Sequence, residues 1–403
     1  MIKKIEKSKA EGIISVPTSK SVAHRLLIAA AMCKGESTID GITPCEDVLA
    51  TIDCLKALGV KIEYQEQRAK ITGIDFSEAM STASLNCRES GSTLRFLIPL
   101  CMLSGNDFLL VGSEKLISRP QIVYSEIADI YNFVFNREDC GFRVKGRLRA
   151  GEYRVRGNVS SQFITGLLFA LSTLKEDSRI VITTKLESRS YVELTLSAMA
   201  EFGVKVLWEN DSTLLIKGGQ AYKERNINVE GDWSGAAFLE AFNHIGGSVE
   251  LIGLNENSHQ GDRACKELFT KLCEGYSEIN IENCPDLAPI LFTVAAIKDG
   301  GKFTGTKRLK IKESDRVEVM KEELSKFGAE LVIEENAVTV LKRELHTPTE
   351  RLCGHNDHRI VMSLAVISTI YGGDIEGCES VAKSYPGFFE DIKTLGINVY
   401  EIN

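Results

Sequence analysis

One pattern recurs along this chain and limits what it can fold into. A helical stretch ends in a large apolar residue, followed by Gly, a smaller apolar residue and a short alternating run. It reads "CLKALGVKIEY" around Gly59, "AMAEFGVKVLW" around Gly203, "ELSKFGAELVI" around Gly328 and "IKTLGINVY" around Gly396. A glycine in that place supplies the left-handed backbone that ends a helix without a Cβ penalty, and the chain then enters a strand. Several units continue as a hairpin, as in "AELVIEENAVTVLK" from Ala329 to Lys342, where polar residues separate two alternating runs. The intervals between clear copies predict about six units of roughly 65 to 70 residues, with weaker copies near Tyr131 and Cys273. A chain of 403 residues is long for one core, so the expectation is an α/β protein of two domains with three units each.

The net charge of −8 argues against a nucleic-acid or anionic-membrane surface, so any cationic site has to be local. Eleven cysteines, odd in number and without CxxC spacing, fit reduced thiols rather than a disulfide framework. The run from Leu26 to Cys33 follows a long charged leader and reads as a core helix, not a signal peptide. No apolar run approaches the length that crosses a bilayer, and the expected location is the cytoplasm.

Helix starts carry the chemistry. "VPTSKSVAHR" opens one helix with hydroxyls, Lys20, Ser21 and Arg25; "RESGSTLR" opens another at Ser90 and Gly91 with Arg95 inside; "NVSSQFITGLL" begins at Ser160, Ser161 and Gln162. Further starts are predicted at Asp286, at Ser314 and at Asn356 or Asp357. Capping explains the hydroxyl, Asn and Asp side chains. It does not explain Lys20, Arg25, Arg95, Lys312, Arg316 and Arg359, because a cation near a helix N-terminus is unfavourable by about 0.3–1 kcal/mol. Free amides, hydroxyls and an added cation together suit an anion held in front of the helix. The "HNDH" run, with His355, Asp357 and His358, matches no familiar zinc spacing; no Walker-type loop or GxGxxG is present.

Taken in order, "PTSKSVAHR", "VSSQFITGLL", "CPDLAP", "IKESDR", "NDHR" and "AKSYPGFFEDI" resemble the 5-enolpyruvylshikimate-3-phosphate (EPSP) synthases of the enolpyruvyl transferase family, from Lys20 to Asp391. The resemblance implies an α/β two-domain enolpyruvyl-transferase fold, with three repeated helix/sheet units in pseudo-threefold arrangement in each domain. It implies a discontinuous domain of residues 1–18 and 230–403 and a second of 19–229, closing over the substrates in an interdomain cleft. The implied reaction moves the enolpyruvyl group of phosphoenolpyruvate to the 5-hydroxyl of shikimate 3-phosphate and releases phosphate, with no metal or organic cofactor. By resemblance, Lys20, Ser21, Arg25, Ser160, Ser161, Gln162, Ser188, Tyr191, Asp286 and Lys312 hold shikimate 3-phosphate. Lys20, Gly91, Arg119, Gln162, Arg316, Arg359 and Lys383 face phosphoenolpyruvate.

Proton transfer to and from carbon and a hydroxyl needs positioned acids and bases. Asp286 is expected as base for the hydroxyl, Glu313 as proton donor to the methylene carbon and later acceptor, and Lys20 as the residue that positions phosphoenolpyruvate and shares protons. Two alternatives remain at this point. A UDP-N-acetylglucosamine enolpyruvyl transferase would usually carry a reactive cysteine in the loop matching "GSEKLISRP", where this chain has none. A non-catalytic phosphometabolite-binding protein would need the cations but gain nothing from Asp286 and Glu313, which repel anions. The expected partners are small anionic substrates alone, bound by a monomer.

Overall fold

The computed structural model describes residues 1–80 and 84–402. The chain divides into two compact units, one formed by Met1–Pro17 with Gly231–Asn403 and the other by Thr18–Glu230. Six sheets are described, three in each unit.

Five of the six sheets have four strands and repeat one design: a parallel pair followed by two antiparallel neighbours. In the Thr18–Glu230 unit one sheet runs Asn226–Asn228, Glu36–Asp40, Arg68–Thr72, Lys61–Gln65. Its first two strands are parallel and the others antiparallel. The other unit builds the same order from Ser277–Asn280, Gly301–Thr304, Ala337–Leu341 and Glu330–Ile333. Its last two strands are the hairpin legible in "AELVIEENAVTVLK". The sixth sheet keeps only the parallel pair, Ser248–Ile252 beside Glu11–Ser15.

The repeated glycines do what the sequence requires of them. Gly59, Gly203, Gly328 and Gly396 all have positive φ, at 101°, 82°, 90° and 86°. In the weak copy near Tyr131 the same bend is made by Asn132 at φ 54°, the residue type after glycine best suited to it.

Each unit is built on three helices buried almost all round. They are Lys20–Ala31, Gly91–Ser104 and Ser161–Leu171 in one, and Trp233–His244, Ala288–Ile297 and His358–Tyr371 in the other. Such helices are apolar on every side because nothing but protein surrounds them. Glycine allows two of them to meet: a Cβ on Gly166 would lie 2.5 Å from the Arg95 carbonyl oxygen and 3.3 Å from Phe96 Cα. That close approach fixes the start of one helix against the start of the other. Within each core, aromatic rings fill the remaining space, among them Phe96, Phe163 and Phe169 in the first and Trp233, Phe238 and Phe292 in the second.

Candidate active site

The polar residues gather at the amino ends of these buried helices. In the Thr18–Glu230 unit the three caps are hydroxyls. Ser19 accepts the Val22 N–H at 3.4 Å, Ser90 that of Thr93 at 3.2 Å and Ser160 that of Gln162 at 3.3 Å. Lys20 is the first residue of its helix, and its ammonium bonds Asp47 Oδ2 at 2.9 Å. Asp47 lies in the first turn of Glu46–Ala57, where acids are so ordinary that nothing in the sequence marks it as a lysine partner.

Arg25 is the most informative cation here. It is 2% exposed, and its guanidinium donates to Thr195 Oγ1 at 2.8 Å, the Ser21 carbonyl at 2.7 Å and the Tyr191 carbonyl at 3.1 Å. All three acceptors are neutral. Among the described residues Arg25 forms no salt bridge, and burial pulls its pKa down to about 10, so it is still charged at neutral pH. The rings of Phe96 and Tyr191 lie 5.2 and 5.9 Å from its guanidinium carbon. Ser21, Arg25 and Tyr191 are thus brought together, and Ser188 stands at the turn into the Tyr191 helix with φ 58°.

A second cluster forms around Gly91. A Cβ there would meet Arg119 Nη1 at 3.1 Å, Gln162 Oε1 at 3.4 Å and Arg95 Nη1 at 3.6 Å, so glycine keeps the backbone open to two guanidinium groups. Gln162 accepts from Arg95 Nη1 at 2.7 Å and donates to Ser92 Oγ at 3.0 Å. Arg95 also reaches Gln121 Oε1 and the Pro120 carbonyl, at 3.3 and 3.2 Å. The sequence marked Arg95 as a cation at a helix start but did not assign it to the site. Its spacing from Gly91, one helical turn on, was the available signal.

Buried hydroxyls tie these helix starts into one frame. His24 Nδ1 is 2.7 Å from Thr51 Oγ1, which is 2.7 Å from Thr93 Oγ1. Thr195 Oγ1, holding Arg25, is 2.8 Å from Thr165 Oγ1 on the Ser161 helix.

The other unit has a different electrostatic pattern, in which carboxylates face the cations. Asp286 was expected to start a helix. It lies instead in a 3₁₀ turn, Pro285–Leu287, just ahead of Ala288–Ile297, and caps neither. Its Oδ1 receives Arg316 Nη1 at 2.8 Å and Lys312 Nζ at 3.2 Å, and its Oδ2 receives Arg359 Nη2 at 3.0 Å. Burial alone would push this carboxyl up; Arg359, Lys312 and Arg316 outweigh it and hold Asp286 well below the usual carboxylate range. Burial lowers Lys312, against the pull of Asp286.

Arg316, 1% exposed, is the hub. It begins the helix Arg316–Ser325, capped by Asp315 rather than by Ser314. Its Nε donates to Asp357 Oδ2 at 2.9 Å and its Nη2 to Glu313 Oε2 at 2.8 Å. Glu313 is therefore an i, i+3 partner of Arg316 and also a carboxylate at the edge of this cluster, with 21% of its side chain exposed. Ser314 Oγ donates to Asp357 Oδ2 at 3.0 Å. Asp357 in turn caps the His358–Tyr371 helix by accepting the Arg359 N–H at 3.0 Å, which aims Arg359 at Asp286. Lys383 donates to the Asn356 carbonyl at 2.6 Å. Sequence reasoning missed Asp262, which is 2% exposed and accepts from Ser234 Oγ. Burial and the neighbouring charge of Asp286 push its pKa up to about 7.

This arrangement can bind anions at several helix starts and exchange protons through carboxylates set among cations. The family model described as EPSP synthase (3-phosphoshikimate 1-carboxyvinyltransferase) matches residues 5–392. A 3-phosphoshikimate 1-carboxyvinyltransferase of Clostridium perfringens is 39% identical, covering 97% of each chain, and one of Clostridioides difficile is 38% identical, covering 99% of this chain and 98% of its own. Among solved structures, an EPSP synthase of Acinetobacter baumannii superposes with a TM-score of 0.80 at 23% identity, covering 99% of this chain and all of its own. An enolpyruvyl transferase of Streptomyces tendae gives 0.76 at 12% identity, over 99% and 98% of the two chains. At those identities the two structures speak for the fold.

Proposed function

The chain belongs to the EPSP synthase family, the 3-phosphoshikimate 1-carboxyvinyltransferases, and from that premise we propose which residues carry its reaction. The protein is a transferase of the shikimate pathway, in aromatic amino acid biosynthesis. It joins the enolpyruvyl group of phosphoenolpyruvate to the 5-hydroxyl of shikimate 3-phosphate and releases phosphate. The UDP-N-acetylglucosamine reading is not favoured.

Arg25, with Lys20, Ser21, Ser160, Ser161, Gln162, Ser188, Tyr191, Asp286 and Lys312, holds shikimate 3-phosphate. The observation that carries this reading is Arg25 itself, a buried cation provided only with neutral acceptors. A buried unbalanced charge is costly, and a phosphate dianion removes that cost. Lys20, Gly91, Arg119, Gln162, Arg316, Arg359 and Lys383 face phosphoenolpyruvate.

The cations around Asp286 are paired with carboxylates: Lys312, Arg316 and Arg359 with Asp286, and Arg316 also with Glu313 and Asp357. A carboxylate held this low is a weak base. Arriving anions compete for Lys312, Arg316 and Arg359, which weakens their hold on Asp286 and raises its basicity toward that needed to take the hydroxyl proton. Freed from Arg316 in the same way, Glu313 can take up a proton from solvent; it passes that proton to the methylene carbon as the hydroxyl oxygen bonds the neighbouring carbon, and takes one back from the resulting methyl group as the carbon–oxygen bond to phosphate breaks. Lys20, compact and cationic, positions phosphoenolpyruvate and shares protons. No step calls for a metal or organic cofactor.

The same reading makes the protein a monomer of the cytoplasm, which suits eleven free thiols and the lack, among the described residues, of any helix long and apolar enough to cross a membrane. The test is phosphate release from phosphoenolpyruvate with shikimate 3-phosphate or UDP-N-acetylglucosamine as acceptor. Release with the first acceptor alone is expected. Binding of both substrates without release would overturn the assignment.

A further inference from the structure

Two consecutive residues, His355 and Asn356, have left-handed backbone, with φ of 47° and 53°. Asn adopts this backbone readily, but His does so less easily, and two such residues in succession call for surrounding bonds that hold them. The next residue is Asp357. The turn therefore carries the Asn356 carbonyl that receives Lys383, the carboxylate that holds Arg316, and the entry to Arg359.

A buried carboxylate supplies the missing constraint. Glu323, 0% exposed, stands seven residues after Arg316 on the same helix, two turns along the same face. Its Oε2 accepts the Cys353 N–H at 2.9 Å, before the turn, and its Oε1 lies 2.9 Å from His355 Nε2, within the turn. Lys326 Nζ bonds both oxygens, at 2.8 and 3.0 Å, and also the Arg351 carbonyl at 3.1 Å. One helix thus grips the turn twice, through Arg316 to Asp357 and through Glu323 to Cys353 and His355.

We propose that Glu323 and His355 form a positioning pair for phosphoenolpyruvate, fixing the left-handed turn that presents Asp357, Arg359 and the anchor of Lys383. Glu322, Glu323 and His355 place ligand-type atoms within 4.8 Å of one another, as a metal would need. The Lys326 ammonium on both Glu323 oxygens already balances that carboxylate, and the cluster serves the turn rather than an ion.

The proposal rests on the reading above that Arg316, Arg359 and Lys383 face phosphoenolpyruvate, and its test separates the two. Steady-state kinetics are measured with each substrate varied in turn, for wild type, Glu323→Gln, His355→Ala, the double variant and Lys383→Ala. Glu323→Gln is expected to raise KM for phosphoenolpyruvate about tenfold, the size of one charge-assisted hydrogen bond. KM for shikimate 3-phosphate stays within about twofold. His355→Ala, at a position with 25% of its side chain exposed and hence tolerant of change, reproduces the effect if the buried variant does not fold. Because both substitutions disturb the same Glu323–His355 contact, and His355→Ala removes nothing else that Glu323 holds, the double variant is no worse than the poorer single one.

Equal rises in both KM values, additive losses, or an unchanged KM for phosphoenolpyruvate in His355→Ala would overturn the pairing while wild type still turns over. If Lys383→Ala leaves KM for phosphoenolpyruvate unchanged, the reading of the cation set fails instead. The pairing as a phosphoenolpyruvate device is then overturned with it.

Discussion

Arg316 Nη1 lies 2.8 Å from Asp286 Oδ1, joining the first residue of one helix to the turn that precedes another. Folding lowers the Asp286 pKa below its unfolded value of 3.8. The carboxylate therefore contributes stability that is fully present above that value and is lost as pH falls through the folded one. Asp286→Asn should destabilise the unliganded protein by about 3 kcal/mol at neutral pH, as when one partner leaves a buried ion pair. The difference from wild type should shrink below pH 3.8. Urea unfolding across the acid range checks this; a difference independent of pH would contradict it. In turnover the same variant should lose at least about 100-fold in kcat with a smaller change in KM for phosphoenolpyruvate.

The buried Arg25 leads to an opposite trade. Its charge is surrounded by neutral acceptors, so folding without a ligand carries a desolvation cost that no carboxylate offsets. Thr195, its main side-chain partner, retains bonds to Thr165 and to the Tyr191 carbonyl when the guanidinium is gone. Arg25→Met should therefore not lower the thermal midpoint and should raise it by a few degrees, about 1 kcal/mol. KM for shikimate 3-phosphate should rise about 100-fold. A fall of several degrees in the midpoint would show that Arg25 is held for structure.

Gly91 is open because two guanidinium groups stand over it. In Gly91→Ala the new methyl carbon would sit 3.1 Å from Arg119 Nη1 and 3.4 Å from Gln162 Oε1, both ends of flexible side chains. The fold should tolerate it, since alanine suits a helix better than glycine by about 1 kcal/mol. Arg119 must shift, and KM for phosphoenolpyruvate should rise about tenfold with KM for shikimate 3-phosphate nearly constant. Equal effects on both would place Gly91 elsewhere in the chemistry.

Local signals were legible and distant partnerships were not. The helix-ending glycines and the hairpin at 329–342 follow from spacings of a few residues and appear in the fold as read; of the cations, Lys20, Arg25, Arg95, Arg316 and Arg359 fall in the opening turns of helices, whereas Lys312 ends the 3₁₀ turn Lys307–Ile311 ahead of one. Asp286 was legible as a site carboxylate but not as the acceptor of three cations, because Arg316 and Arg359 are 30 and 73 residues away. Asp47, Thr195 and Glu323 carry no mark at all: an acid in a first turn, a threonine in a helix and a glutamate among glutamates are ordinary until the fold brings them to Lys20, Arg25 and His355. Arg95 lay between the two cases, marked as out of place but not as the donor to Gln162.

Lys20 separates charge from proton chemistry. Its ammonium bonds Asp47 at 2.9 Å with only 16% and 14% of the two side chains exposed, so losing the pair should cost about 2 kcal/mol, between an exposed pair and a fully buried one. Lys20→Met should keep the fold, with a midpoint lowered by no more than about 4–8 °C, yet lose at least about 100-fold in kcat. Lys20→Arg keeps the positive charge but presents a planar guanidinium that does not give up a proton near neutral pH. If Lys20 only attracts phosphoenolpyruvate, Arg should restore both KM and kcat. If it also shares protons, Arg should recover KM to within about threefold while kcat stays about 100-fold low. Parallel recovery of both constants would leave Asp286 and Glu313 as the only groups that move protons.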